Sequence, residues 1–177
     1  MEKLHLRENL ALVGFMGVGK TTLYHALRGF GLPGVDVDEL VVQLAGKSIP
    51  DIFAQDGEDV FRQWETQAIR QAAAMQGVVI ACGGGAVLRW ENVAALQQTG
   101  RVVLLTATPE TILDRLKDDD TRPNLRGRKT VAGVQDLLAQ RQKYYEAAAQ
   151  LTLATDGKTP AQICRELLAL ADCETEA

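Results

Sequence analysis

The chain has few of the residues that build metal sites and disulfide frameworks. It holds three cysteines, Cys82, Cys164 and Cys173, and two histidines, His5 and His25. An odd, widely spaced cysteine set forms neither a disulfide framework nor a zinc pattern, so the thiols read as buried or incidental in a reducing cytoplasm. The isolated histidines read as surface or packing residues. No apolar run is long enough to cross a bilayer. The charged N-terminus, whose apolar stretch is Leu10–Val13, has no signal-peptide layout. Positive charge is not in excess: 19 Lys and Arg stand against 23 Asp and Glu, a net charge of −4. A general nucleic-acid surface is thereby excluded. Internal repeats and low-complexity linkers are absent as well. What remains is an ordinary globular composition, with 46% apolar and 24% charged residues over 177 positions. That length suits a single domain, 1–177, with a full core.

Against these absences stands one dense motif. Gly14-Phe15-Met16-Gly17-Val18-Gly19-Lys20-Thr21-Thr22 fits the P-loop pattern of a Gly, four residues, then Gly-Lys-Thr. The apolar run Leu10–Val13 precedes it and a helical stretch, Thr21 to Leu27, follows. Glycines let a loop turn its N–H groups inward around phosphate oxygens, and the helix N-terminus adds partial positive charge. Lys20 can reach the β- and γ-phosphates, and the Thr21 hydroxyl can ligate Mg²⁺. The expectation is a nucleotide-binding loop formed by Gly17, Val18, Gly19, Lys20, Thr21 and Thr22.

The rest of the chain alternates strands and helices. Leu10–Val13, Val35–Val37, Val78–Ala81, Val102–Leu105 and Leu151–Ala154 read as buried strands. Helical patterns run from Glu58 to Met75 and from Thr130 to Ala149. Thr108-Pro109 and Thr159-Pro160 each set an N-cap residue before a first-turn proline, and Ser48 with Asp51 resembles a capping box. The alternation implies a three-layer α/β fold: a central five-stranded parallel sheet with helices on both faces and ligands at the strands' carboxyl ends. Lys117 to Lys129 is charge-dense and apolar-poor. A polar loop of that length in a compact domain reads as a surface loop or a mobile lid, here over about 117–130, whose Arg122-Pro123 could swing over a phosphate.

A P-loop alone does not name a reaction. The guanine-reading Asn-Lys-x-Asp of GTPases is absent. Asp36-Val37-Asp38 ends the second strand, where alternation points the two carboxylates in different directions, one toward a metal and one toward a hydroxyl. Asp38 reads equally well as the N-cap of the next helix. Arg62 and Glu65 share a helix face, and in a cleft Glu65 would fix the guanidinium for a substrate carboxylate. Gly83-Gly84-Gly85 follows the third strand and admits close approach of another molecule. Arg141 and Tyr145 lie four apart on the penultimate helix.

The ordered set is the P-loop, Asp36-x-Asp38, Gly57-Glu58-x-x-Phe61-Arg62-x-x-Glu65, Gly83-Gly84-Gly85, Arg122-Pro123 and Arg141-x-x-x-Tyr145. Together these resemble the shikimate kinase family over essentially the whole chain. The resemblance implies a P-loop kinase that uses ATP and Mg²⁺ to phosphorylate the 3-hydroxyl of shikimate, in the cytoplasm and as a monomer, with no nucleic-acid or membrane partner. It implies an acceptor region over about 36–65. In that family pattern Asp38 would bind the shikimate hydroxyls and accept the reacting proton. Arg62 and Arg141 would clamp the carboxylate, the backbone of Gly83, Gly84 and Gly85 would lie beneath the ring, and Phe61 would pack beside it. Thr21 would bind Mg²⁺, with Asp36 supporting it through water. Arg122 would close onto the phosphates with Lys20 as the second catalytic cation, and Arg115 and Lys158 would contact adenine.

The chain departs from the family pattern in places. The stretch from Leu23 to Gly34 is about one residue short, and Gly34 stands where an aromatic is usual; the lid reads Arg122-Pro123-Asn124-Leu125 in place of the commoner Arg-Pro-Leu-Leu. Two other functions remain open at this level: a related small-metabolite kinase such as a gluconate kinase, and a nucleotide-binding sensor without catalysis.

Overall fold

A strand covered on both faces has no solvent side to alternate with, so its sequence is a continuous apolar run. The computed structural model describes residues 3–118, 127, 129–171 and 173–176, without the side chains of 3 and 173–176. In it the run Asn9–Val13 is strand β2, buried at every position. An N-terminal strand β1, Lys3–Leu6, precedes it. Helix α1 (Lys20–Gly29), strand β3 (Gly34–Asp36) and helices α2 (Val37–Ala45), α3 (Ile49–Gln55) and α4 (Glu58–Ala73) follow. Strand β4 (Val79–Ala81), a 3₁₀ turn (Ala86–Leu88), helix α5 (Trp90–Thr99) and strand β5 (Gly100–Thr106) come next. The chain continues through α6 (Pro109–Leu116), α7 (Val131–Ala148), β6 (Leu151–Ala154), α8 (Pro160–Leu170) and β7 (Cys173–Glu176).

All five expected strands pair in parallel in one sheet, in the order β3-β4-β2-β5-β6. Helices cover both faces, the expected three-layer fold. Because β2 leads by way of α1 to the β3 edge while β4 leads by way of α5 across to β5, the connections diverge at β2. The crevice at its carboxyl end is where such sheets bind ligands, and the P-loop is there. Edge position shows in β6, where Leu153 alone is buried.

Local chemistry sets most helix starts. Thr108, Thr130 and Thr159 each cap a helix through a backbone N–H three residues on, and Thr159 with Gln162 completes a capping box. Ser48 also caps its helix, but its hydroxyl donates to the Asp51 carboxylate at 2.6 Å, so the pair is not the reciprocal box expected. The Asp36–Asp38 expectation needs a larger correction. The strand ends at Asp36, and Asp38 already lies in the first turn of α2, so strand alternation does not separate their carboxylates. The N-cap is Asp36, whose Oδ1 accepts from the N–H groups of Asp38 at 2.8 Å and Glu39 at 3.2 Å.

A second sheet was not legible in the sequence: β1 and β7 pair antiparallel, Lys3 opposite Glu176 and Leu6 opposite Cys173. At the sheet's opposite end from the P-loop, buried Asn9 ties three elements together. Its Nδ2 donates to Met75 O (2.8 Å), Ala73 O (3.3 Å) and Thr99 Oγ1 (3.3 Å), and its Oδ1 accepts from Val78 N (3.0 Å).

The unusual Gly34 is explained by packing. A Cβ there would lie 2.6 Å from Cε2 of Tyr24 and 3.1 Å from the Val79 carbonyl. The Tyr24 ring, 2% exposed on α1, fills the space beside β3. We expect Gly34→Ala to destabilise the fold by about 1–3 kcal/mol through overpacking, and less in a Tyr24→Leu background. A double-mutant cycle from urea melts checks this; equal losses in both backgrounds would remove Tyr24 as the obstacle.

Candidate active site

The loop from Gly14 to Gly19 turns on glycines with positive φ: 143° at Gly14, 79° at Gly17 and 105° at Gly19. Two of them are also closed to side chains. A Cβ on Gly14 would lie 2.5 Å from the Leu105 carbonyl, and one on Gly17 would lie 2.9 Å from Leu116. Gly19 is the left-handed N-cap of α1, so no side chain caps that helix, and its first turn carries no acid. The N–H groups there are offered to an anion. Lys20 folds back over the loop, its Nζ donating to Gly14 O at 2.6 Å and Phe15 O at 2.9 Å.

This loop forms one wall of a cavity of about 420 Å³. Gly17, Gly19, Lys20, Thr21, Thr22, Arg115 and Leu116 line it together with Asp36, Asp38, Cys82, Gly83 and Gly84. Lys20, Thr21, Asp36 and Asp38, drawn from one strand end and two helix starts, therefore share a single space. Val18 is buried, with its carbonyl accepting from Thr155.

The three glycines after β4 each face a different group. A Cβ on Gly83 would stand 3.0 Å from Glu65 Oε1 and 3.4 Å from Asp38 Oδ1. One on Gly84 would meet Met16 N, Gly14 O and, at 3.8 Å, Arg141 Nη1. One on Gly85 would collide with the Arg62 guanidinium, 2.6 Å from Nη1 and 2.7 Å from Cζ. The missing side chains thus let two arginines and two carboxylates close around one strip of backbone. On α4, Arg62 pairs with Glu65 at 2.7 Å and with Glu58 at 3.2 Å, and its guanidinium lies 5.1 Å above the Phe61 ring. Phe61 in turn packs on Phe53 at 4.7 Å and shelves Arg62; Phe61, Arg62, Gly85 and Arg141 stand behind the residues that line the cavity. On α7, Tyr145 donates to the Gly84 carbonyl at 2.5 Å, and Arg141 reaches the same oxygen at 3.5 Å. Asn92 holds the following 3₁₀ turn by donating to Ala86 O at 2.9 Å.

Electrostatics follow from this burial. Desolvation pushes the Glu65 carboxyl above its ordinary range and Asp38 adds to that, while Arg62 pulls it back. Burial works against the Arg62 charge, but Glu65 and Glu58 more than offset it, and the guanidinium holds its proton more tightly than usual. Burial raises the Cys82 thiol, and Glu65 and Asp38 raise it further, so Cys82 stays a neutral lining residue.

Two expected adenine contacts behave differently. Arg115 reaches the cavity, its Nη1 donating to Gly17 O and Thr155 Oγ1, each at 3.1 Å. Lys158 instead pairs with Glu166 on α8 at 2.6 Å, away from the lining. Arg122 lies outside the described residues. Sequence reasoning missed Thr155, Cys82 and Leu116. Thr155 directly follows a parallel strand, the position where α/β folds place ligand contacts, and that was its only signal.

The comparisons with known proteins agree with this arrangement. The shikimate kinase family model matches residues 16–172. The shikimate kinase of Symbiobacterium thermophilum is 42% identical over 163 residues, covering 90% of this chain and 94% of that protein. A crystallised shikimate kinase from Acinetobacter baumannii in complex with shikimate superposes with a TM-score of 0.85 at 34% identity, over 92% of each chain. A gluconokinase from Sinorhizobium meliloti superposes at 0.58 with 17% identity, which is a likeness of fold alone. Motif order, sheet order, family model and full-length similarity all lead to one grouping: this chain belongs to the shikimate kinase family.

Proposed function

We propose that the protein transfers the γ-phosphoryl group of ATP to the 3-hydroxyl of shikimate, giving ADP and shikimate 3-phosphate. The observation carrying this reading is the glycine strip 83–85, which gathers Asp38, Arg62 and Arg141 beside a cavity that the P-loop also lines. An anionic, hydroxylated acceptor suits the strip, and a nucleotide phosphate suits the loop.

Phosphoryl transfer depends mainly on positioning and charge neutralisation. The N–H groups at the start of α1 would hold the β-phosphate, and Lys20 would leave its two carbonyl partners for the β- and γ-oxygens. Arg62 would grip the acceptor carboxylate while Glu65 fixes its plane, and Arg141 would close from α7. The Gly84 carbonyl, held by Tyr145, keeps the strip in place beneath the ring. Asp38 would orient the reacting hydroxyl and take its proton. Thr21 and Asp36 offer hard oxygen donors to the same cavity, a set that suits Mg²⁺ held mainly by phosphate and water. Among the described residues no group of three acidic, His or Cys side chains could hold a metal alone. When bound, the ion would neutralise charge between the β- and γ-oxygens. We assign Arg122 to the phosphates, Arg115 to the base, and residues 1–177 to one domain acting as a monomer in the cytoplasm. Among the described residues no helix is long and apolar enough to cross a membrane.

A coupled ADP-release assay tests the reading. Turnover with shikimate and none with gluconate is the expected result. ATP binding without turnover on either acid would leave the sensor reading instead.

A further inference from the structure

The phosphate-binding loop is held in shape from behind by a residue outside the motif. Thr155 follows β6 and is 1% exposed. Its backbone N–H donates to Thr106 O at 2.9 Å. Its hydroxyl lies 2.8 Å from Val18 O and 3.1 Å from Thr106 O. A hydroxyl has one proton to give. Thr106 O already accepts from the Thr155 backbone, so the shorter contact, Val18 O, receives that proton. The lone pairs of the same hydroxyl accept from Arg115 Nη1, which also donates to Gly17 O. Two successive P-loop carbonyls are thus tied to one buried cluster.

The consequence lies in peptide geometry. In a planar trans peptide the C=O and the following N–H point to opposite sides. Pinning Val18 O against Thr155 therefore aims the Gly19 N–H away from Thr155, on the side where Gly19 lines the cavity. Gly19 has a φ of 105°, and a peptide beside so permissive a residue can rotate unless something holds it. We propose that the Thr155 hydroxyl is a positioning residue for phosphoryl transfer, fixing the Val18–Gly19 peptide so that its N–H is set toward the nucleotide phosphates before ATP arrives. The gain is preorganisation: the amide dipole need not be turned during binding or reaction.

This inference rests on the nucleotide-binding reading above. Its test is calorimetric titration of ADP and, separately, adenosine into the native protein and into Thr155→Val, Thr155→Ser and Thr155→Ala. ADP and adenosine share the base and ribose and differ in the phosphates. Thr155→Val keeps the shape and removes the hydroxyl. It should weaken ADP about tenfold, equivalent to about 1.4 kcal/mol, and leave adenosine within about twofold. Thr155→Ser should restore ADP binding to near the native value. Steady-state kinetics should show a raised KM for ATP and an unchanged KM for the acceptor. Equal weakening of ADP and adenosine would overturn the proposal, because Thr155 would then act on the base side through Arg115. Native-like ADP binding by Thr155→Val, or a Thr155→Ser as weak as Thr155→Val, would overturn it too. Should Thr155→Val fail to fold in a thermal scan, Thr155→Ala is read by the same comparison. A native protein that bound no ADP would refute the nucleotide reading itself, a different result from any of these.

Discussion

Lys20→Ala should abolish turnover while leaving the fold intact, with kcat lower by about 10³ or more. The magnitude follows from analogous charges: a single preorganised donor at a developing anion is worth about 10²–10³, and an arginine finger on a transferring phosphoryl group about 10³–10⁵. The ammonium of Lys20 lies 2.6 and 2.9 Å from the carbonyls of Gly14 and Phe15. It is therefore already at the phosphate loop and needs only a short movement to reach the nucleotide. Stability should change little. Alanine is the best helix former at this first helical position, and the two carbonyls border a water-accessible cavity that can supply replacement donors. ADP release and a thermal scan on the same preparation measure both effects. Native-like turnover in the variant would refute the phosphate-cradle assignment. Lost turnover together with a collapsed melting temperature would instead assign Lys20 a structural duty.

Gly85→Ala should be the most damaging single methyl group that can be added on the acceptor side. The new Cβ would occupy the position of the Arg62 guanidinium, which cannot retreat freely. It is held by Glu65 at 2.7 Å and Glu58 at 3.2 Å and rests on Phe61. Displacing it would leave Glu65, 1% exposed, without its cationic partner and the acceptor carboxylate without its fork. Disrupting a buried charge-assisted pair costs about 2–5 kcal/mol, so the KM for shikimate should rise by a factor on the order of 30 to 5000, with the KM for ATP within about twofold. Arg62→Ala should have a similar effect. The double variant should be little worse than Arg62→Ala alone, because both changes remove one interaction. Steady-state KM values for both substrates in the three variants measure this coupling. If the two losses multiplied, Gly85 would act by some route other than Arg62.

Comparing these two predictions shows where sequence reading stops. The Lys20 argument was complete in the chain itself, since loop, lysine and helix start are contiguous and their geometry is local. The Gly85 argument was not. The triple glycine signalled close approach by some other molecule, but the nearest groups belong to the same chain: side chains at Gly83 and Gly85, and P-loop backbone at Gly84. Likewise Arg62 and Glu65 were legible as a pair on one helix face, whereas their contact with the Gly83–Gly85 strip required α4 to pack against the 3₁₀ turn that follows it. Gly34 looked like a local defect until Tyr24, on a different element, proved to fill the space. The Asp36–Asp38 geometry was misjudged because one residue decides whether a strand's alternation continues or a helix begins, and the Asp36 carboxylate capping two backbone N–H groups settled that boundary.

The chain by itself determined the phosphate loop, the alternating fold class, the helix caps at Ser48, Thr108 and Thr159, and the residue types of the proposed acceptor site. Each is encoded within a few neighbouring residues or in a repeating apolar pattern. Only the tertiary structure decided which arginine meets which glycine, that Lys158 turns to Glu166, that the chain's two ends pair as a ladder, and that Thr155 reaches Val18 from 137 positions away. Those contacts depend on the lateral order of the strands, which apolar runs do not specify. They also depend on side-chain volumes meeting across elements, a property that no single stretch of sequence contains.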